Sequence, residues 1–434
     1  MKSVMAALGL ASVLTASSAA RAESNAPARP APADLTQMLV DPAVWDSSRL
    51  KGQWAEESAQ SSGKSKVMQS PKGGVFDQVP QQIHAYFETG RLDRIEVVYL
   101  EAGLFFGMRE SVELRSHGEA SDSAKERREL DKKIREAREK ESKEIPQLRK
   151  AFDARFKELE ESLPDALERF CGVKGKRISV GQGQLLRSRV TEYAGTNLCM
   201  RLLADDDQLV SVTILRRAEA SRKLADAGLS PWTRRKELRE NVRLMPNGDT
   251  VIEDIPMAQQ GGRGYCAMAT LAMIMGYYGL NISLDTLADK AGYKEGSTDM
   301  AIIRPIYRAA AAEAKARVQE LTSLDFRRTQ DLVKRGVPVL VWRGFSRERD
   351  EVHTQFAQEY RGNPAAELPE PKPKERKNWP SVWVTGGHAS LITGFNKDRG
   401  EVLFTESWGE GARNRRMRAE EMEATAYRLF VFEP

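Results

Sequence analysis

A chain of 434 residues exceeds what one hydrophobic core usually organises, so two domains or more are expected. Its formal net charge of +5 is spread over interspersed Lys, Arg, Asp and Glu; nucleic-acid binding would need a one-signed patch with interleaved aromatics, and that class is excluded. Three cysteines, Cys171, Cys199 and Cys266, leave one thiol over whichever pair forms.

The first residues, "MKSVMAALGLASVLTASSAARAES", run from Lys2 through an apolar segment to Ala20-Arg21-Ala22. This is the pattern of a secretory signal over residues 1–22, and its apolar part of roughly a dozen residues is too short for the about 20 a membrane helix needs. An exported product, periplasmic or extracellular, with no membrane span after signal removal is expected. Residues 23–35 are Ala/Pro-rich and read as a flexible lead-in. In an oxidising compartment Cys171 and Cys199, both in the N-terminal half, are expected to pair and leave Cys266 free.

Residues 36–240 read as an α+β N-terminal domain. "QQIHAYFETG" and "RLDRIEVVYLEAGLFFG" alternate well enough to be strands joined at Thr89-Gly90, and "TNLCMRLLADDDQLVSVTILRR" is a second pair turning at Ala204 to Asp207. Between them lies a charge-dense stretch with Leu130, Ile134, Ala137, Leu148, Phe152, Phe156, Leu159 and Leu163 at helical spacing. It predicts an amphipathic helix pair broken near Pro146, its charges forming a solvated face. No catalytic constellation occurs in this half. A helical connector then ends at Pro246-Asn247-Gly248-Asp249, a turn that makes a boundary.

The second half, residues 250–434, carries the chemistry. "CAMATLAMIMGYYG" is apolar almost all round and predicts a buried helix with Cys266 in its first turn. The positive end of a helix dipole lowers a thiol pKa, and an imidazolium lowers it further. Gln260, six residues upstream across a glycine-containing loop, can bring a side-chain amide opposite the Cys266 backbone N–H, which would complete an oxyanion site.

A base is then required. Only His353 and His388 follow Cys266, and His353 sits in a charged, proline-rich insertion over residues 344–380 that reads as a surface loop. His388 opens "GGHASLITGFNKDRGEVLFTESWGEG", a hairpin turning at Asn396 to Gly400, which places Glu406 at the end of the partner strand. A carboxylate there accepts the imidazole N–H and fixes its tautomer. Trp408 can cover this pair. Helices are expected near residues 283–291, 298–314 and 325–335, facing a sheet built from "VPVLVW", the His388 hairpin and "AYRLFVF".

"QGGRGYC" followed by "AMATLAMIMGYYG", "GGHASLITGF" and "ESWGEG" resembles the papain-like cysteine peptidases, and within them the bacterial branch of double-glycine leader peptidases, over roughly residues 250–434. The resemblance implies a two-lobed α+β fold, with Cys266 as nucleophile, His388 as base and then acid, and Gln260 as oxyanion donor. Glu406 occupies the position where papain-like enzymes have Asn and the leader-peptidase branch Asp; Asn396 or Asp398 in the turn is the fallback. Ala267, where papain-like enzymes carry Trp, favours the leader-peptidase branch.

The expectation is a secreted thiol peptidase acting on peptide or protein substrates, without cofactor or metal. A cell-wall peptide amidase or acyltransferase with the same triad, and a silent binding module, are the alternatives. The N-terminal domain is either an inhibitory pro-region or a permanent accessory domain.

Overall fold

The computed structural model describes residues 33–41, 45, 55–56, 65–69, 73–88, 91–107, 124–180, 185, 187–205, 208–217, 237–280, 282–293, 300–345, 347–371, 373, 376, 379 and 387–434. The signal segment, the Thr89-Gly90 turn, His117 and the connector up to residue 236 lie outside them.

In the N-terminal half the alternating segments form an antiparallel sheet of eight strands. Their spatial order is Ala55–Glu56, Ser65–Gln69, Gln82–Glu88, Arg91–Glu101, Leu209–Arg216, Leu198–Asp205, Ser188–Ala194 and Lys176–Val180. The two predicted strand pairs are its centre, joined through Arg91–Glu101 against Leu209–Arg216. The stretch expected to continue the second strand turns instead at Glu101. That carboxylate accepts the backbone N–H of Gly103 at 3.0 Å and of Leu104 at 2.8 Å, capping a short helix over Ala102–Phe106.

Where a broken helix pair was expected, one helix of 48 residues, Ala124–Cys171, runs straight through Pro146 and Pro164. A proline costs the helix a hydrogen bond to the carbonyl four residues back. Here those carbonyls belong to Ser142 and Glu160, both exposed residues, so the carbonyl that loses its helical donor is not on a residue sealed in the core. The pairs Lys132–Glu136 at 3.7 Å and Glu139–Lys143 at 2.8 Å reinforce the exposed part. Further along, Phe152, Leu159, Leu163 and Leu167 are fully buried in the N-terminal core.

The expected Cys171–Cys199 bridge is absent, and all three thiols are free. Cys171 meets the next residue on the strand, Met200, with Sγ and Sδ 3.5 Å apart. Successive strand residues point to opposite faces, so Cys199 is turned away from the helix. Burial, with Glu192 beside it, pushes the Cys199 thiol up to about 12.

The second half combines helices with another antiparallel sheet. Its strands lie in the order Val242–Leu244, Asp249–Ile252, Gly387–Asn396, Val339–Gly344, Ala426–Glu433 and Arg317–Leu321. Glu401–Thr405 and Arg415–Arg418 extend the other edge of Gly387–Asn396. The four expected helices occur at Cys266–Tyr277, Leu284–Ala291, Met300–Glu313 and Phe326–Lys334. Ala267 to Met275 are buried without exception, as an all-round apolar sequence requires of a central helix. Thr270 staples this helix to the sheet, its hydroxyl lying 3.3 Å from the Ala389 carbonyl.

The 344–380 insertion is not simply a surface loop. Arg347–Gly362 is helical, because His353, Phe356, Ala357 and Tyr360 fall on one face and all are buried. Arg349 grips Glu421 at 3.0 and 2.7 Å, and Arg415 grips Asp350 at 2.8 Å, fixing the helix to the sheet. Among the described residues no helix is long and apolar enough to cross a membrane.

Since strand polarity separates Cys171 from Cys199, thiol counting on the denatured, unreduced protein should find three free thiols. A count of one would mean that a bridge forms.

Candidate active site

The Gly387–Asn396 strand is the spine of the site. Its first half pairs with Val339–Gly344, in register Arg343 opposite His388 and Val341 opposite Ser390. On its other edge the Glu401–Thr405 strand reaches only to Thr405, opposite Leu391. The chain leaves the ladder there, and Glu406 to Trp408 are delivered beside His388. Residues 388 and 390, two apart on one strand, share a face, and residue 343 opposite 388 shares it too. Four side chains therefore converge: Arg343, His388, Ser390 and Glu406.

Glu406 has no solvent exposure, and its two oxygens are divided between roles. Oε2 lies 2.6 Å from His388 Nε2. Oε1 accepts from Arg343 Nη2 at 2.7 Å and from Ser390 Oγ at 2.8 Å. Burial alone would raise the carboxyl pKa, but the His388 and Arg343 charges outweigh it and bring it down to about 2. The fallback residues are elsewhere. Asn396 is eight positions along the strand, roughly 26 Å from His388, and bonds Asp249 at 2.8 Å; Asp398 is exposed in the turn.

With Nε2 committed to Glu406, the imidazole addresses Cys266 through its other nitrogen. Burial would lower the His388 pKa, yet Glu406 and the Cys266 thiolate raise it to about 10. The converse holds for Cys266. Burial would raise its thiol, but the His388 charge, a hydrogen bond with that ring and one from the Ala389 backbone bring it below the ordinary value. Cys266 stands at the first helical residue, where backbone N–H groups lack intrahelical partners and the dipole favours an anion. Both shifts favour a thiolate–imidazolium pair over the neutral pair.

Gln260 lies in the same site, buried, on a loop that Gly261 turns at φ +62°. Its backbone N–H donates to the Ser407 carbonyl at 2.9 Å. Its side-chain Oε1 accepts from Ser407 Oγ at 2.6 Å, and Nε2 donates to the Arg263 carbonyl at 2.8 Å. An amide nitrogen has two hydrogens, so one N–H is left for another acceptor. Trp408 is not core: it is 39% exposed, and its ring stacks on His388 with centroids 4.9 Å apart. Phe345 closes the aromatic group, 5.4 Å from His388 and 5.8 Å from Trp408.

Of the predicted residues, Cys266, His388 and Glu406 meet one another, and Gln260 lies against Ser407, the residue after Glu406. Sequence reasoning missed Arg343, Ser390, Ser407 and Arg263. A signal for Arg343 existed, since a lone cation ending the apolar run "VLVW" must find a buried anion. His353 is buried against Glu421 at 3.3 Å, and burial pushes its imidazole below the usual range; it belongs to the packing of the insertion helix. Among the described residues no group of side chains could hold a metal ion.

Residues 252–433 match the model of the Peptidase_C39 like family. No curated protein matches significantly. A structure described as a C39-like peptidase from Bacillus anthracis is similar at 14% identity, covering 42% of this chain and 96% of its own, with a TM-score of 0.29. The peptidase domain of Streptococcus ComA, a bifunctional ABC transporter of a quorum-sensing pathway, is similar at 16% identity, with 41% and 96% covered and a TM-score of 0.26. Over residues 252–433 the chain is thus similar to the C39-like cysteine peptidases.

Proposed function

We propose that the protein is an exported thiol peptidase whose Cys266, His388 and Glu406 form the catalytic triad and whose Gln260 stabilises the oxyanion. The observation that carries this reading is the chain of contacts from Arg343 through Glu406 to His388 beside a helix-terminal thiol. The Cys266 thiolate adds to the scissile carbonyl, and the carbonyl oxygen becomes an oxyanion facing the Cys266 backbone N–H and the free N–H of Gln260. Removing one such donor typically costs about 10² to 10³ in rate.

His388, already protonated, gives its proton to the leaving amine as the tetrahedral adduct collapses to a thioester. The neutral imidazole next takes a proton from water, whose oxygen attacks the thioester carbonyl. Collapse of that second adduct releases the carboxylic acid and restores the thiolate and imidazolium. Glu406 stays ionised throughout and holds Nε2–H, so the ring keeps its other nitrogen toward sulfur. Trp408 shields the pair from water on its exposed side.

The two large buried clusters, one within residues 39–214 and the other drawn from residues 252–432 with only Leu185 and Leu238 added, support reading residues 36–240 as an N-terminal unit and 250–434 as the peptidase unit. Export is supported by the charged, apolar and Ala-x-Ala sequence of residues 1–22. N-terminal sequencing of the protein recovered outside the cytoplasm should begin at Glu23; an intact Met1 would contradict export with cleavage.

Because the pair is charged at neutral pH, activity should fall in acid as Cys266 gains its proton and in alkali as His388 loses its own near 10. Iodoacetamide at neutral pH should alkylate Cys266 first, since burial raises Cys171 to about 11 and Cys199 to about 12. Cys266→Ala should lose this alkylation and all peptide hydrolysis while melting at nearly the same temperature. Peptidase activity retained in that variant would refute the assignment.

A further inference from the structure

The loop that carries Gln260 is held from behind by a guanidinium. Arg263 is 2% exposed, and its donors are aimed in three directions. Nε reaches the Gln260 carbonyl at 2.8 Å, Nη2 reaches the Gln259 carbonyl at 3.4 Å, and Nη1 reaches Asp285 Oδ1 at 2.7 Å. The Arg263 carbonyl in turn accepts the Gln260 amide at 2.8 Å. A planar fork engaged on each side leaves the side chain little freedom. Whatever fixes Arg263 therefore fixes Gln260.

The outermost member of this network comes from the N-terminal sheet. Glu101 Oε2 lies 3.7 Å from Arg263 Nη1, and Glu101 Oε1 accepts the Tyr265 hydroxyl at 2.7 Å. Tyr265 immediately precedes Cys266 and is fully buried, its ring stacked on Tyr293 with centroids 5.0 Å apart. Glu101 is itself fixed by the backbone N–H groups of Gly103 and Leu104 that it caps. Gly103 is a close-approach glycine, since a Cβ there would stand 2.2 Å from Tyr265 Cζ. Nearby, His84 of the same sheet faces Asp285 at 3.3 Å, so a second pairing crosses the same junction.

We propose that Glu101 is a positioning residue of the peptidase: through Arg263 and Tyr265 it fixes the loop that presents Gln260 and the Cys266 backbone N–H to the oxyanion. The N-terminal sheet is then a permanent part of the active enzyme rather than an inhibitory segment to be removed. An inhibitory segment would cover the reacting groups, whereas the contacts described above are made to Arg263, Tyr265 and Asp285. The inference rests on the oxyanion role proposed for Gln260.

The test uses the full mature chain and two variants that leave every triad residue in place. Glu101→Gln keeps an acceptor for Tyr265 but removes the charge facing Arg263, and Gly103→Ala keeps every polar group but displaces the Tyr265 ring. Three quantities are read: kcat and KM on a fluorogenic peptide chosen from an unbiased library digest by the unsubstituted enzyme, and the rate of Cys266 alkylation by iodoacetamide at neutral pH. Alkylation needs the thiolate but forms no oxyanion, so it separates positioning from general damage. The expected result is a fall in kcat of about 10-fold to 100-fold with KM changed less than about threefold and alkylation unchanged. Unchanged kcat in both variants, or alkylation falling in step with kcat, would overturn the proposal. If the unsubstituted enzyme is alkylated at Cys266 yet cleaves no peptide, the peptidase reading fails first and this inference falls with it.

Discussion

The constraint on which the site depends is the burial of Glu406. A carboxylate removed from water loses several kcal/mol of solvation, and only close opposite charges and hydrogen bonds recover it. Here Arg343 and Ser390 satisfy one oxygen and His388 the other. Losing one partner of such a group typically costs about 3 to 5 kcal/mol, because the remaining charge stays buried. The same requirement that makes Glu406 costly also fixes it, and through it the orientation of His388.

Two cations compete for that carboxylate, with opposite consequences. A carboxylate shared with Arg343 stabilises an imidazolium less than one facing His388 alone. Arg343 nevertheless anchors Oε1 and leaves Oε2 aligned with the ring, so orientation is gained where charge stabilisation is lost. Glu406 still raises the imidazole most, Cys266 adds to it from the other side, and together they hold His388 above its ordinary range. Glu406, one methylene longer than the Asp or Asn that the resemblance leads one to expect, is accommodated because the chain leaves its ladder at Thr405, before reaching His388.

Much of this site was legible in the sequence, and for definable reasons. Cys266 announced itself by standing at the head of a helix apolar on every side, and His388 and Glu406 by flanking a hairpin whose alternation and turn are both unambiguous. Local pattern encodes such features. Arg343, Arg263 and Glu101 were not legible in the same way, since each acts across contacts between segments 20 or more residues apart, and only the assembled register brings them together. The proline rule failed at Pro146 because it assumes a buried carbonyl, and that of Ser142 belongs to an exposed residue. The cysteine rule failed because it counts thiols without their strand faces. The helix inside the insertion was legible from the spacing of His353, Phe356 and Tyr360, but the surrounding charges and prolines obscured it.

The central claim is that His388 is held as an imidazolium beside a thiolate by a carboxylate that cannot leave. Nitrogen-15 NMR of His388 in the free enzyme at neutral pH tests it most directly, because both ring nitrogens then report their protonation separately. The account predicts two protonated nitrogens at neutral pH. A spectrum with one protonated and one bare nitrogen would mean a neutral thiol–imidazole pair, and the electrostatic account would be wrong.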